Sequence, residues 1–224
     1  MHIVGFEEEH FEFPPVDKAD SEGLILIGGK LTPAKVLEAY KKGIFPWYND
    51  DEPILWWSPD PRFVLCSQAL HISRSMQKVL RQQTFTFKMN TAFEDVIHAC
   101  KTINRDGQPG TWITNEMKKV YTDLFHQGYG FSAEAWKGDE LVGGIYGVKI
   151  GNMYYGESMF SRQTNASKFA FISFIESQKK NGLAVLDCQL HTPHVESLGG
   201  QFISRKKFIQ LVEQLTKDEY TTYS

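Results

Sequence analysis

Long apolar runs are missing from this chain. None approaches the roughly 20 residues that a helix needs to cross a bilayer, so no membrane span is expected. Cysteine is scarce: Cys66, Cys100 and Cys188 are scattered and odd in number, which gives no disulfide framework and favours a reducing cytoplasm. A basic excess is also absent. The net charge of −3 argues against a general nucleic-acid coat protein and leaves room only for a local basic patch. The opening MHIVGFEEEHFEF is acidic and lacks the basic-then-apolar layout of a signal peptide. No phosphate-cradling loop is complete, because GKLT at 29–32 lacks the earlier glycine spacing and Lys30 precedes Leu31. Internal repeats and low-complexity tracts are lacking too.

What is present is 42% hydrophobic and 13% aromatic residues over 224 positions, enough for one large domain or a domain with a small satellite. Residues up to about Asp20 read as an extended arm and GLILIGG (23–29) as a short strand. Thr32 and Pro33 then open a helix that Gly43 stops. GIFPWYNDDEPILWWSPDPRFVL (43–65) holds four of the nine prolines and three of the five tryptophans. So much rigid aromatic surface is a core wedge or a cleft wall, and the core is the reading for Trp56 and Trp57. HISRSMQKVLRQQ predicts a helix from near Ser73, and FTFKMN a strand. Thr91 with Glu94 predicts a capping box opening AFEDVIHACKTI. Thr114 opens a helix with Met117, Val120, Tyr121, Leu124 and Phe125 on its apolar stripe. The period then changes to two. FSAEAWKGDELVGGIYGVKIGNMYYGESMF, with turns at Gly138-Asp139 and Gly151-Asn152, reads as a three-strand antiparallel meander. A helix over about 166–180, a buried strand at LAVLDC and a helix near 205–215 complete the chain. The domains expected are 1–90, an α/β unit with the Trp/Pro-rich loop, and 91–224.

A meander, a helix and a strand returning to the sheet describe half of an acyltransferase sheet of the GNAT type. This is an α+β arrangement in which two neighbouring strands splay apart and admit the acyl donor. In LAVLDCQLHTPHVESLGG (183–200), four apolar residues lead into Asp187, Cys188 and Gln189. Strand alternation puts Asp187 and Gln189 on one face and Cys188 on the other. A carboxylate and an amide at the end of a buried strand need partners or a substrate, since desolvating them is otherwise costly. That pair is the candidate reaction centre.

Other chemistries fare less well. A CoA-dependent acetyltransferase wants a glycine-rich cradle before the helix near 166, where FSRQTNASK has no glycine and only helix-start amides remain for an anion. Cys188, His191 and His194 lack the further ligands of a metal site, and nothing beside Cys188 activates it as a nucleophile. Arg74, Lys78 and Arg81 share one helix face. Spacing alone makes them a solvated surface; the functional reading is a row of phosphate contacts that adds to the salt dependence of binding. Trp47 and Trp112 stand at loop-to-element junctions. Each singly is a packing residue, whereas together they would clamp a planar group such as a base, worth roughly 1–3 kcal/mol.

The blocks GIFPWYNDDEPILWWSPDPRFVL, LHISRSM, GTWIT, ELVGGIYGV, YGESMFSR, NASK and LDCQLHTPHVESLGG run in order over nearly the whole chain. Together they resemble the bacterial leucyl/phenylalanyl-tRNA–protein transferases, with WWSPDPR, GESMFS and DCQ carrying the most specificity. The resemblance implies a small N-terminal domain joined to a GNAT-like C-terminal domain with a mostly antiparallel sheet flanked by helices. It implies transfer of Leu, Phe and less well Met from charged tRNA to the α-amine of proteins beginning with Arg or Lys. The product is then marked for N-degron degradation. The implied partners are the 3′ end of Leu-tRNA or Phe-tRNA and the acceptor protein, with no cofactor and no metal. Residue by residue, Asp187 and Gln189 match the pair proposed to handle the attacking amine, and Glu157 an acidic residue beside it. Trp47 and Trp112 match the sandwich around the terminal adenine. Ile145, Tyr154, Phe171, Phe174 and Leu186 match an apolar pocket for the donor side chain. Ile145 and Tyr154 replace the Met and Phe expected there, which bears on the Leu-to-Phe preference, and Lys30 replaces an acidic residue. On this reading Arg74, Lys78 and Arg81 contact the tRNA.

An aminoacyl ester is already activated, so its aminolysis needs neither an ATP loop nor a metal. Much of the acceleration can come from holding amine and ester in attack geometry. Gln189, a neutral amide, is a poor proton acceptor. It is expected to accept a hydrogen bond from the amine, oriented by Asp187, and that bond strengthens as positive charge grows on nitrogen. Asp187 and Glu157 favour a cationic acceptor terminus. Three alternatives stay open: a tRNA-dependent aminoacyltransferase with another acceptor, a CoA-dependent acetyltransferase, and a non-catalytic binder of the tRNA end.

Overall fold

Two sheets divide the apolar sequence between them in the computed structural model, which describes residues 2–103 and 113–217. The smaller has the order β1-β2-β4-β3, from β1 (His2–Ile3), β2 (Leu24–Ile27), β3 (Phe45–Pro46) and β4 (Leu55–Trp57). Between β2 and β3 lies α1 (Pro33–Lys41), started by Thr32, whose hydroxyl accepts from the Lys35 amide at 3.2 Å. The chain leaves α1 at Gly43 with φ +74°, where a Cβ would meet Ile209 Cδ1 at 2.3 Å, so only glycine suits that turn. The N-terminal arm tucks Phe11 and Phe13 against Trp56, with Phe13 edge-on at 4.8 Å. Trp56 is fully buried and donates its indole N–H to the Gly28 carbonyl at 3.0 Å. Burying an indole removes about 150–250 Å² of surface, roughly 4–6 kcal/mol before entropy is charged against it. The core reading therefore holds for Trp56, while Trp57 is half-buried.

The larger, seven-stranded sheet has the order β11-β5-β10-β9-β8-β7-β6. Its strands are β5 (Arg62–Cys66), β6 (Thr86–Met89), β7 (Gly130–Lys137), β8 (Glu140–Ile150), β9 (Met153–Ser161), β10 (Val185–Asp187) and β11 (Gln201–Ile203). Every pairing is antiparallel except β10 on β9, and β7-β8-β9 is the expected meander. The helices are α2 (Arg74–Arg81), α3 (Phe93–Thr102), α4 (Asn115–His126), α5 (Ala166–Lys179), α6 (Pro193–Glu196) and α7 (Arg205–Leu215). Alternation along the strands sorts side chains into two cores. Val64, Tyr146, Tyr155 and Val185 pack on the side of α1, α3, α4 and α7. Leu65, Ile145, Tyr154 and Leu186 pack on the side of α2, α5 and α6. The class is α+β, as expected, with a mostly antiparallel sheet flanked by helices.

Two local expectations change. A division at residue 90 does not follow the sheets: β5 and β6 precede it yet belong to the large sheet, while the small sheet ends at Trp57. Long-range pairing of β5 with β10 and β11 draws that strand out of the N-terminal unit. Nor does Thr91 form the capping box. Its hydroxyl and amide both donate to Glu134, a fully buried carboxylate on β7 that also accepts from the Ala92 amide at 2.9 Å, the Ser132 hydroxyl at 2.8 Å and the Trp136 indole at 3.1 Å. Burial pushes the Glu134 pKa up, but these donors outweigh it and hold the group below the usual carboxylate range. The helix α3 accordingly starts behind Ala92.

Candidate active site

Strand β10 pairs with β9 only at Val185, Leu186 and Asp187, opposite Met153, Tyr154 and Tyr155. Beyond that point β9 runs on to Ser161 and the two strands part. The gap is a cavity of about 720 Å³ between Gly156–Ser161 on one side and Leu186, Cys188 and Gln189 on the other. Phe171 of α5, Phe45 and Pro46 of β3, and Trp47 also line it.

Glu157 enters this space through a β-bulge. Tyr146 pairs with Ser158 and Gly147 with Gly156, which leaves Glu157 as the extra residue of β9; bulges of this kind re-aim a side chain. The bulge needs Gly147, where a Cβ would meet the Tyr155 carbonyl oxygen at 2.1 Å. The Glu157 carboxylate accepts from Tyr40 Oη at 2.5 Å and Tyr121 Oη at 3.0 Å, and the two hydroxyls lie 2.7 Å apart. Burial raises the Glu157 pKa to about 7 against the pull of these two donors, with the Asp187 charge adding to the rise and Arg62 opposing it. Burial first, and then the Glu157 charge, push both phenols well above their ordinary range, so they stay protonated donors.

Asp187 does not line the cavity. Its carboxylate takes Arg62 Nε at 2.8 Å and Arg62 Nη2 at 2.6 Å, and both side chains are fully buried. Arg62 is wedged between the Phe45 and Phe208 rings, 4.6 and 4.5 Å from their centroids, and donates to the Gly43 carbonyl at 3.3 Å. Asp187 Oδ1 also accepts the backbone N–H of Gln189 at 3.0 Å. The alternation expected for Asp187, Cys188 and Gln189 is therefore corrected. It holds to Cys188, which lines the cavity with Leu186, and fails at Gln189, whose φ of +54° turns the chain so that its side chain lines the cavity as well. Gln189 is 9% exposed, and its amide nitrogen has no partner among the described residues. Cys188 is no thiolate: burial, then the Asp187 charge, drive its pKa far up.

Of the expected donor pocket, Ile145, Phe171 and Leu186 face the cavity. Tyr154 and Phe174 do not. Both are buried behind the wall, where Phe174 stacks on Phe131 at 4.5 Å and the Tyr154 hydroxyl donates to Gln178 at 3.2 Å. Trp47 lines the cavity, is 42% exposed and meets Trp57 edge-on at 6.0 Å. Trp112, its expected partner, lies outside the described residues. Arg74, Lys78 and Arg81 are exposed along α2 and take no part in the cavity wall. Lys30 pairs with Glu9 at 2.5 Å. Among the described residues no three His, Cys, Asp or Glu side chains are grouped to hold a metal, and no helix is long and apolar enough to cross a membrane. Sequence reasoning missed Arg62, Tyr40 and Tyr121, and weighed His194 only as a metal ligand although it too lines the cavity. Arg62 had a signal: it is the one charge in the apolar strand RFVLC, and a buried charge demands a partner.

A cavity between parted strands, with Ile145, Phe171 and Leu186 in its wall and a carboxylate whose pKa lies near 7, holds the groups that an acyltransferase needs. Residues 64–213 match the family described as leucyl/phenylalanyl-tRNA protein transferase, and residues 29–60 match its N-terminal domain. The leucyl/phenylalanyl-tRNA–protein transferase of Christiangramia forsetii is 48% identical over 214 residues, covering 95% of this chain and 100% of that protein. Its counterpart in Flavobacterium johnsoniae is 49% identical over 201 residues, covering 90% of this chain and 95% of that protein. The one from Syntrophus aciditrophicus is 48% identical over 202 residues, covering 90% and 84%. The chain belongs to the leucyl/phenylalanyl-tRNA–protein transferase family and is an aminoacyltransferase.

Proposed function

We propose that this enzyme moves Leu or Phe, and less well Met, from charged tRNA to the α-amine of polypeptides that begin with Arg or Lys, in the cytoplasm, so marking them for N-degron degradation. The observation that carries this reading is one cavity with Ile145, Phe171 and Leu186 in its wall and Glu157, near neutral pKa, in the same space as Gln189. The donor side chain occupies the apolar part and its adenine stacks on Trp47. Glu157 takes a proton from the incoming α-ammonium, and the Gln189 carbonyl oxygen accepts a hydrogen bond from the amine. The nitrogen lone pair forms the C–N bond, the ester C–O bond breaks, and the ribose oxygen leaves with its electron pair and takes the second proton that the nitrogen sheds. Ammonium and ester become amide, alcohol and one proton, the one that Glu157 passes on to solvent. Asp187 is a positioning residue, because Arg62 and the Gln189 backbone occupy its carboxylate. Of the two carboxylates only Glu157 is open to the cavity, so it offers the charge that a cationic acceptor meets.

The test is labelled Phe-tRNA offered with peptides beginning with Arg, Lys, Asp or Gly. Label is expected on the Arg and Lys peptides alone. Equal labelling of all four, or labelling of the Asp peptide only, would overturn the acceptor assignment.

A further inference from the structure

His194 stands on α6 in the wall of this same cavity. Its Nε2 is buried with no hydrogen-bond partner among the described residues, and so is Nε2 of Gln189. An unpaired buried nitrogen carries a desolvation cost that a substrate group would relieve. The backbone that carries the ring is fixed. Thr192 Oγ1 caps α6 by accepting from the Val195 amide at 3.2 Å, Ser197 Oγ donates to the His194 carbonyl at 2.7 Å, and Val195 is sunk in the apolar core.

The charges around the cavity say which group this is. Glu157 lies with Tyr40 and Tyr121 on the sheet face covered by α1 and α4, a negative environment suited to an amine. His194 lies on the other side, where Lys168 in the first turn of α5 acts on the ring and Ser167 of that turn lines the cavity. A lysine and the positive end of a helix dipole favour an oxygen that is gaining negative charge over an ammonium. Burial, then Lys168, hold the imidazole below its ordinary pKa, which favours the neutral ring with a single N–H. A carbonyl oxygen at Nε2 selects the tautomer with the hydrogen there.

We infer that His194, together with the side-chain N–H of Gln189, donates hydrogen bonds to the ester carbonyl oxygen as it becomes an oxyanion. As the C–N bond forms, the carbonyl π pair moves onto that oxygen. It returns when the C–O bond to ribose breaks, and the donors neither gain nor lose a proton. This rests on the aminoacyl-transfer reading above.

The experiment measures kcat and donor KM for the full chain with labelled Phe-tRNA and an Arg-started peptide. His194→Ala should lower kcat by about 10²-fold while donor KM stays within about twofold. His194→Gln, which places an amide N–H where Nε2 stood, should recover about tenfold or more at a matched unfolding midpoint. Unchanged kcat in His194→Ala, a loss in KM alone, or His194→Gln no better than His194→Ala would overturn the inference. If the alanine variant fails to fold, His194→Gln and His194→Asn decide. Gln reaches the Nε2 position and Asn does not, so equal activity of the two sinks the idea. A wild-type enzyme that transfers nothing would refute the transfer reading itself, whereas an active wild type with an unaffected His194→Ala refutes only the role of His194.

Discussion

Arg62 grips Asp187 through two hydrogen bonds, 2.8 and 2.6 Å long, across 125 residues of sequence and with neither side chain exposed. The remaining bond of that carboxylate is to the Gln189 backbone. A chain of contacts thus runs from the Gly43 carbonyl and the Phe45 and Phe208 rings, through Arg62 and Asp187, to the left-handed turn that puts Gln189 in the cavity wall. In the proposed reaction an aspartate so occupied orients the neighbouring amide and leaves proton transfer to another group.

Breaking this pair from one side leaves a buried charge. Arg62→Met is expected to cost about 3–5 kcal/mol, which is a fall of roughly 6–20 °C in unfolding midpoint for a chain of this size. The double variant Arg62→Met/Asp187→Leu removes both charges and should regain most of that stability. It should remain inactive, because nothing then accepts the Gln189 N–H. Thermal unfolding and Phe transfer are measured side by side. Restored transfer in the double variant would show that Asp187 does not position Gln189.

Glu157 gives a pH dependence of definite sign. Its pKa rises on folding from about 4.5 to about 7, so the folded chain holds this proton more tightly than the unfolded one. The resulting stability, on the order of 3 kcal/mol, is fully present below about pH 4.5 and is lost as pH rises through about 7. Glu157→Gln should lack that slope in urea unfolding between those values. Transfer runs the opposite way and rises through about pH 7 as the carboxylate forms. Tyr121→Phe removes a hydrogen bond that lowers the pKa, so its activity midpoint should move to higher pH. A wild-type rate that stays flat across pH 6–8, about one unit either side of the midpoint, would remove Glu157 as the acceptor of the proton.

The cavity wall separates residues that the family resemblance groups together as a donor pocket. Ile145 faces the cavity and Tyr154 does not. Ile145→Ala enlarges the space and trims its apolar wall, and is expected to shift the Phe-to-Leu ratio of kcat/KM by about 10-fold or more in favour of Phe, as for one or two methylenes in an apolar site. Tyr154→Phe deletes a hydroxyl that bonds Gln178 behind the wall and should leave that ratio within about twofold. Competition between Phe-tRNA and Leu-tRNA reads both. A larger shift from Tyr154→Phe than from Ile145→Ala would reverse the assignment of the wall.

What was legible in the sequence is what short-range chemistry decides. Thr32, Ser73 and Thr114 each cap the helix that follows by accepting from the amide three residues on, and the meander showed in its period and its turns. Thr91 had an equally good local pattern and failed, because Glu134, 43 residues away, took its donors. Glu157 could be picked as an acid but not placed, since a bulge exists only relative to the register of β8. The turn at Gln189 depends on Asp187, which depends on Arg62 in a distant strand. Strand alternation has no means of seeing either partner.

The basic row on α2 offers a measurement independent of the cavity. Arg74, Lys78 and Arg81 are all exposed, and among the described residues none forms an ion pair that would spend its charge. A solvated face and a tRNA-binding one differ in one observable, the dependence of binding on salt. If two of these residues neutralise phosphates, Arg74→Glu/Lys78→Glu should reduce the slope of log affinity for Phe-tRNA against log salt by about 0.7–0.9 for each phosphate no longer neutralised. Single-turnover transfer from donor already bound should keep its rate, because neither side chain lines the cavity. An unchanged slope would return the row to the solvated surface, and a slowed single turnover at saturating donor would mean that α2 reaches the chemistry by a route other than phosphate binding.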